Sequence, residues 1–112
     1  DTLSLHDALP ILDCDPATQT YDILLRIPFD RYRFAVITFE HDGDRTVQQN
    51  AHAYLGQFGY QLVVKNISDQ GIANPYEDWY VHPKYVSEEI ISIMLAADDS
   101  IKNAEKYMLG KI

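Results

Sequence analysis

Cysteine is almost absent from this chain: Cys14 stands alone among 112 residues, so no internal disulfide can form. A single thiol is compatible with a reducing cytosol, and a cytoplasmic setting is the expectation. Basic residues are scarce and scattered. With nine Lys and Arg against seventeen Asp and Glu, the formal charge is −8, and the basic face that a nucleic-acid backbone requires is missing. No apolar run approaches the roughly 20 residues of a membrane-spanning helix. Glycine is sparse, and no glycine-rich strand-to-helix turn occurs. There are no repeats and no low-complexity segments.

What is present is the content of one small domain. Apolar residues make up 46% of the chain, ordinary for a globular protein. The first eleven residues stand apart. The run Thr2-Leu3-Ser4-Leu5-His6-Asp7-Ala8-Leu9-Pro10-Ile11 resembles the translation of a short-read sequencing adapter, and it lacks the basic start and longer apolar centre of a signal peptide. The expectation is a non-native segment over 1–11, a partial domain over 12–112, and a natural chain that extends upstream.

The organising stretch is Arg33 to Asp42. Six consecutive apolar or β-compatible residues, Phe34 to Phe39, predict a strand covered on both faces, as in a parallel sheet between helices. It ends in Glu40, His41 and Asp42. In open α/β sheets ligands bind just beyond the carboxyl ends of the strands, so this triplet marks a candidate rim.

Around it the chain alternates. Leu12 to Asp15 reads as the tail of a strand. Asp15 as N-cap and Pro16 at the first helical position start a helix that Pro28 closes, with Ala17, Tyr21, Leu24 and Leu25 on its apolar face. Thr46 and Gln49 suggest a capping box. Val47, Ala51, Tyr54, Leu55 and Phe58 then form an amphipathic helix that Gly59 terminates. Tyr60 to Ile67 is the next strand, completing a βαβ unit. Ser68 to Tyr76 is a loop. Asp78 to His82 is a short strand that returns antiparallel, because its connection is too short for a crossover helix. Val86, Ile90, Ile93, Met94, Ala97, Ile101, Ala104 and Met108 predict a terminal helical segment, with an interruption at Asp98 to Ser100. Its apolar stripe leaves room for a homo-oligomer.

Two acidic groups therefore come from neighbouring strand ends: Asp13 with Asp15, and Glu40 with His41 and Asp42. Carboxylate and imidazole together suit a hard divalent cation, a general base toward a hydroxyl, or a polar pocket wall. Asp15 is equally explained as a cap and Asp42 as a turn residue. His52 reads as a surface or packing residue. Trp79 borders a pocket or packs beneath a helix.

Taken together, Phe34 to Asp42, Ile27 to Asp30 before it, and Gly59 to Val64 and Glu77 to Pro83 after it resemble the carboxyl-terminal half of FkbM-type methyltransferases. The similarity covers about Leu12 to Pro83. It implies an α/β fold, the C-terminal half of a Rossmann-like sheet with parallel strands and one antiparallel hairpin strand. It also implies S-adenosylmethionine as cofactor and a small-molecule acceptor, with no nucleic-acid or membrane partner. Glu40 and His41 are then the expected catalytic pair, with Asp13, Asp42 and Trp79 toward the substrate. The chain departs from the family in lacking the glycine-rich donor-binding turn, which belongs to the other half. The reading from a different class is a non-catalytic α/β module, flavodoxin- or receiver-like, that binds a ligand or protein in the same crevice.

Overall fold

The computed structural model describes residues 3–5, 10–68, 74–96 and 102–103. Its elements are β1 (Leu3–Leu5), β2 (Ile11–Leu12), α1 (Ala17–Arg26), β3 (Tyr32–Phe34), β4 (Val36–Glu40), α2 (Arg45–Gln57), β5 (Gln61–Ser68), β6 (Glu77–Val81), α3 (Glu88–Ala96) and β7 (Lys102–Asn103). β1 pairs with β3, while the main sheet has the order β2-β4-β6-β5-β7. It is a mixed sheet in an α/β domain. β2 runs parallel to β4, whereas β6 is antiparallel to both β4 and β5.

The expected return of β6 beside β5 is thus present, but β6 also inserts between β4 and β5. Those two strands run in the same sense without touching, so the β4–α2–β5 unit encloses a reversed strand. The expected uninterrupted strand is also split. β3 ends at Phe34, Ala35 is a bend, and the Ala35 carbonyl accepts from His82 N–H at 2.8 Å. Along β4 burial alternates: Ile37 and Phe39 are fully buried, while Val36, Thr38 and Glu40 are half-buried. Both faces are covered, unequally, by helices on opposite sides.

One face carries α1 and α2. Leu12, Ala17, Leu24, Ile37, Phe39, Val47, Ala51, Leu55 and Tyr80 form its core. Phe29 is the hub of an aromatic group, with Phe34, Tyr54, Phe58 and Tyr60 at centroid distances of 5.0–6.3 Å. The apolar face of α2 is as its periodicity predicts. That of α1 is rotated: Ala17, Thr20 and Leu24 are buried, whereas Ile23 and Leu25 are exposed. Ile91 of α3 packs on the other face with Val63, Val81 and Trp79.

The helix ends differ from expectation in a physically readable way. Pro16, not Asp15, is the N-cap of α1, and no side chain caps it. Thr20 does related work from inside the helix: its hydroxyl accepts from Cys14 N–H (2.9 Å) and donates to Cys14 C=O (2.8 Å). For α2 the cap is Asp44, which accepts from Val47 N–H at 3.1 Å, so the Thr46–Gln49 box does not form the helix start. The far end fits its prediction. Gly59 (φ +89°) donates to Gly56 C=O and Tyr60 N–H to Leu55 C=O, a Schellman pattern. A Cβ at Gly59 would also press within 3.1 Å of His82 Nε2.

Toward the C-terminus, α3 spans Glu88–Ala96, and Lys102–Asn103 pair with β5 as β7. The predicted helical face is therefore broken by a strand; Ala97, Ile101, Ala104 and Met108 lie outside the described residues. At the other end, Ile11 belongs to β2, and the Pro10 carbonyl accepts from Thr38 N–H at 3.2 Å. The boundary set by the adapter resemblance falls inside this strand. β1 joins only a two-stranded pair, a unit that is marginal in water. Deleting residues 1–9 should accordingly change stability by less than about 1 kcal/mol in a denaturant titration; a larger loss would make β1 an integral part of the fold.

Candidate functional site

Strand register assembles the rim. Ile11 stands beside Thr38 and Leu12 beside Phe39, so the next residue, Asp13, comes alongside Glu40. Across the other edge of β4, Glu40 is paired with Glu77 of β6. Side chains alternate along a strand. Glu40 and Glu77 therefore share the face of Thr38 and Trp79, while Phe39 and Asp78 face the opposite way. Asp42 comes back toward Glu40 through a turn in which Asp42 (φ +52°) and Gly43 (φ +76°) are both left-handed. Asp13 and Glu40, expected to converge from neighbouring strand ends, do so, and Asp42 joins them.

The electrostatic consequence falls on Glu40. Burial, then hydrogen bonding to Asp13 and Asp42, then their negative charge, push its carboxyl from an ordinary 4.5 up to about 9. A carboxyl so placed keeps its proton at neutral pH and shares it with its neighbours. Glu77 is also raised, first by burial and further by Asp13 and Asp78. The Trp79 indole N–H, donating to Glu77 Oε2 at 2.6 Å, works against that shift.

This fixes the sign of a pH effect. Between about pH 5 and 9 the folded chain holds a proton on Glu40 that the unfolded chain has released, so stability must fall as pH rises through that window. Glu77 acts in the same direction. His82 opposes them at the acidic end. Burial lowers it below 6.5, and that loss of stability comes as pH falls. Thermal midpoints should therefore decline from near neutrality toward pH 9, and Glu40→Gln, which keeps the hydrogen-bonding shape without an ionisable proton, should flatten the decline. An unchanged slope in that variant would place the titration elsewhere.

The opposite face of the same strand ends holds a buried polar network. His41 and Asp78 are 0% and 1% exposed. Gly43 N–H donates to His41 Nδ1 (3.0 Å), which leaves the ring proton on Nε2, directed at Asp78 Oδ1 (3.2 Å). Asp78 also accepts from Asn66 N–H (2.8 Å) and from Gln48 Nε2 (3.0 Å to Oδ2). Gln48 in turn donates to Asn66 Oδ1 at 2.9 Å. Asn66 is left-handed, at φ +61°. Both ring nitrogens of His41 are thus engaged inside the protein. The network ties the carboxyl end of β4 to α2, β5 and β6.

The remaining candidates are placed as follows. Asp15 is exposed at the start of α1. Trp79 is half-buried and packed in the apolar cluster that contains Ile91 of α3. His52 is exposed, its ring 6.1 Å from that of the buried Tyr80. Glu77, Asp78 and Gln48 are participants that reading along the chain does not single out. Among the described residues no group of three or more His, Cys, Asp or Glu is arranged to hold a metal ion.

Neither the turn from β2 into α1 nor that from β4 into α2 fits a methyl-donor cradle. The turn from β2 to α1 is Asp13-Cys14-Asp15-Pro16, with its amides partly taken by Thr20. In the turn from β4 to α2 the Gly43 N–H is already given to His41. Compared with family models, with curated proteins and with solved structures, the chain has no match in any of the three.

Proposed function

We propose that this chain supplies the acceptor-side rim of an S-adenosylmethionine-dependent methyltransferase of the FkbM type, with the donor held by another part of the polypeptide. Most transfers implied by that resemblance are to oxygen, so the substrate is a small hydroxylated molecule. The observation that carries the reading is the carboxyl group of Asp13, Glu40 and Asp42. It lies at the carboxyl ends of two adjacent parallel strands, where α/β sheets bind ligands. The reversed β6 beside them supports it, since the resembling sheets end in such a strand.

In this reading Glu40 holds and moves the proton of the acceptor hydroxyl. Asp13 and Asp42 orient Glu40 and shape the rim. His41 fixes the backbone beneath them from inside the fold. The methyl group itself comes from the cofactor, and proximity supplies much of the rate in such a transfer.

Calorimetric titration with S-adenosylmethionine separates this reading from its rival. The 112-residue chain should show no saturable heat, whereas the same chain extended upstream by its natural reading frame should bind the donor. Absence of binding in the extended protein would favour a non-catalytic α/β binding module.

A further inference from the structure

We infer that the chain has an oxyanion-binding site, meeting the acidic rim only at Asp42, in the cavity between the first turns of α2 and the carboxyl end of β5. The cavity measures about 580 Å³ and is bordered by Asp42, Arg45, Gln48, Lys65, Asn66 and Asn74, among others. A smaller one of about 170 Å³ shares Arg45, Gln48 and Lys65 as walls. The larger falls within the roughly 300–1,000 Å³ of small-molecule sites.

The charge lining it is what specifies the ligand. Arg45 and Lys65 are both exposed, and neither makes an ion pair or ring contact with a described residue. In a chain of formal charge −8, two cations on one cavity with no ion pair among the described residues run against the average surface. The acidic groups nearby are occupied in other ways. Asp78 is buried beneath three donors, and Asp42 is engaged with Glu40. Asp44 is occupied as the cap of α2, accepting from Val47 N–H. Asn66 lends its carbonyl oxygen to Gln48, which leaves its amide hydrogens as donors beside the two cations.

A planar guanidinium, a mobile ammonium and an amide donor make a set for a phosphate monoester or a carboxylate. The ligand class is a small molecule bearing one such oxyanion. This inference does not depend on the methyltransferase reading, because Glu40 and Asp13 do not line the cavity and it needs no donor.

Amide NMR titration of the 112-residue chain with inorganic phosphate, and separately with acetate, tests it at ionic strength matched by chloride. Saturable shifts at Gly43, Gln48 and Asn66 are expected, with little change at Ser87. Arg45→Gln and Lys65→Gln should each weaken binding by at least about tenfold, the worth of one charge-assisted hydrogen bond. Asn50→Ala, on the same helix but outside the cavity, should bind as the parent does. Tighter binding of phosphate would identify a phosphate-type ligand, and tighter binding of acetate a carboxylate. Shifts that never saturate with either anion, or equal affinity in the Arg45→Gln/Lys65→Gln double variant, would overturn the inference.

Discussion

Replacing Asp78 with alanine should remove a large share of the chain's stability at room temperature. This carboxyl is 1% exposed and accepts from His41, Gln48 and the Asn66 backbone. Removing it leaves all three donors without their acceptor, the one on His41 fully buried. Breaking one partner out of such a buried arrangement costs about 3–5 kcal/mol, against a total of about 5–15 kcal/mol for an ordinary domain. Asp78→Asn is the sharper comparison. It keeps an acceptor oxygen but turns an N–H₂ group toward donors, so it should fall between alanine and the parent. Asp15→Ala, at an exposed carboxyl that caps nothing, should stay within about 0.5 kcal/mol. Urea midpoints for the three variants check the order. An Asp78→Ala protein as stable as Asp15→Ala would mean that the network is replaced by water without loss.

Asp78 also marks where reading the sequence stops being sufficient. Local patterns sufficed for α2, whose buried residues fall at helical spacing, and for β5 and β6 with their antiparallel return. They sufficed for the meeting of Asp13 with Glu40 as well, because both end adjacent strands. Insertion of β6 between β4 and β5 is a long-range pairing that no local pattern encodes. Its consequences, Glu77 opposite Glu40 and Asp78 facing the core, were hidden with it. A signal for Asp78 exists in hindsight. In Glu77-Asp78-Trp79-Tyr80-Val81 the period of two puts Asp78 on the face of Tyr80, which is fully buried. The cap of α1 went astray for a different reason: Asp-Pro is a good helix start, but Thr20 holds the Cys14 backbone and the helix begins one residue later. The break at Ala35 reflects a change of partner, from β1 to β2 and β6, and apolarity alone cannot show it.

The largest kinetic effect is expected at Glu40, in the upstream-extended protein and on the methyltransferase reading. A carboxyl raised to about 9 is a poor base at neutral pH and becomes an effective one only as it ionises. If Glu40 removes the acceptor proton, kcat/KM should therefore climb with pH and level off near 9. Glu40→Gln preserves the contacts with Asp13 and Asp42 that a protonated carboxyl makes, so the rim should keep its shape while losing its proton carrier. Turnover should drop about 10²–10⁴-fold, the usual contribution of a positioned acid–base group, and the alkaline rise should vanish. Donor affinity should be unaffected, because neither the turn after β2 nor the turn after β4 forms a donor cradle. His41 offers the control. With both ring nitrogens committed to Gly43 and Asp78, His41→Gln should lower stability first, and the surviving folded fraction should retain the parent pH profile. Single-turnover rates from pH 6 to 10, corrected for folded fraction by circular dichroism, distinguish the two residues. A Glu40→Gln protein with parent rates and an unaltered profile would reduce the carboxyl group to a structural feature of the strand ends.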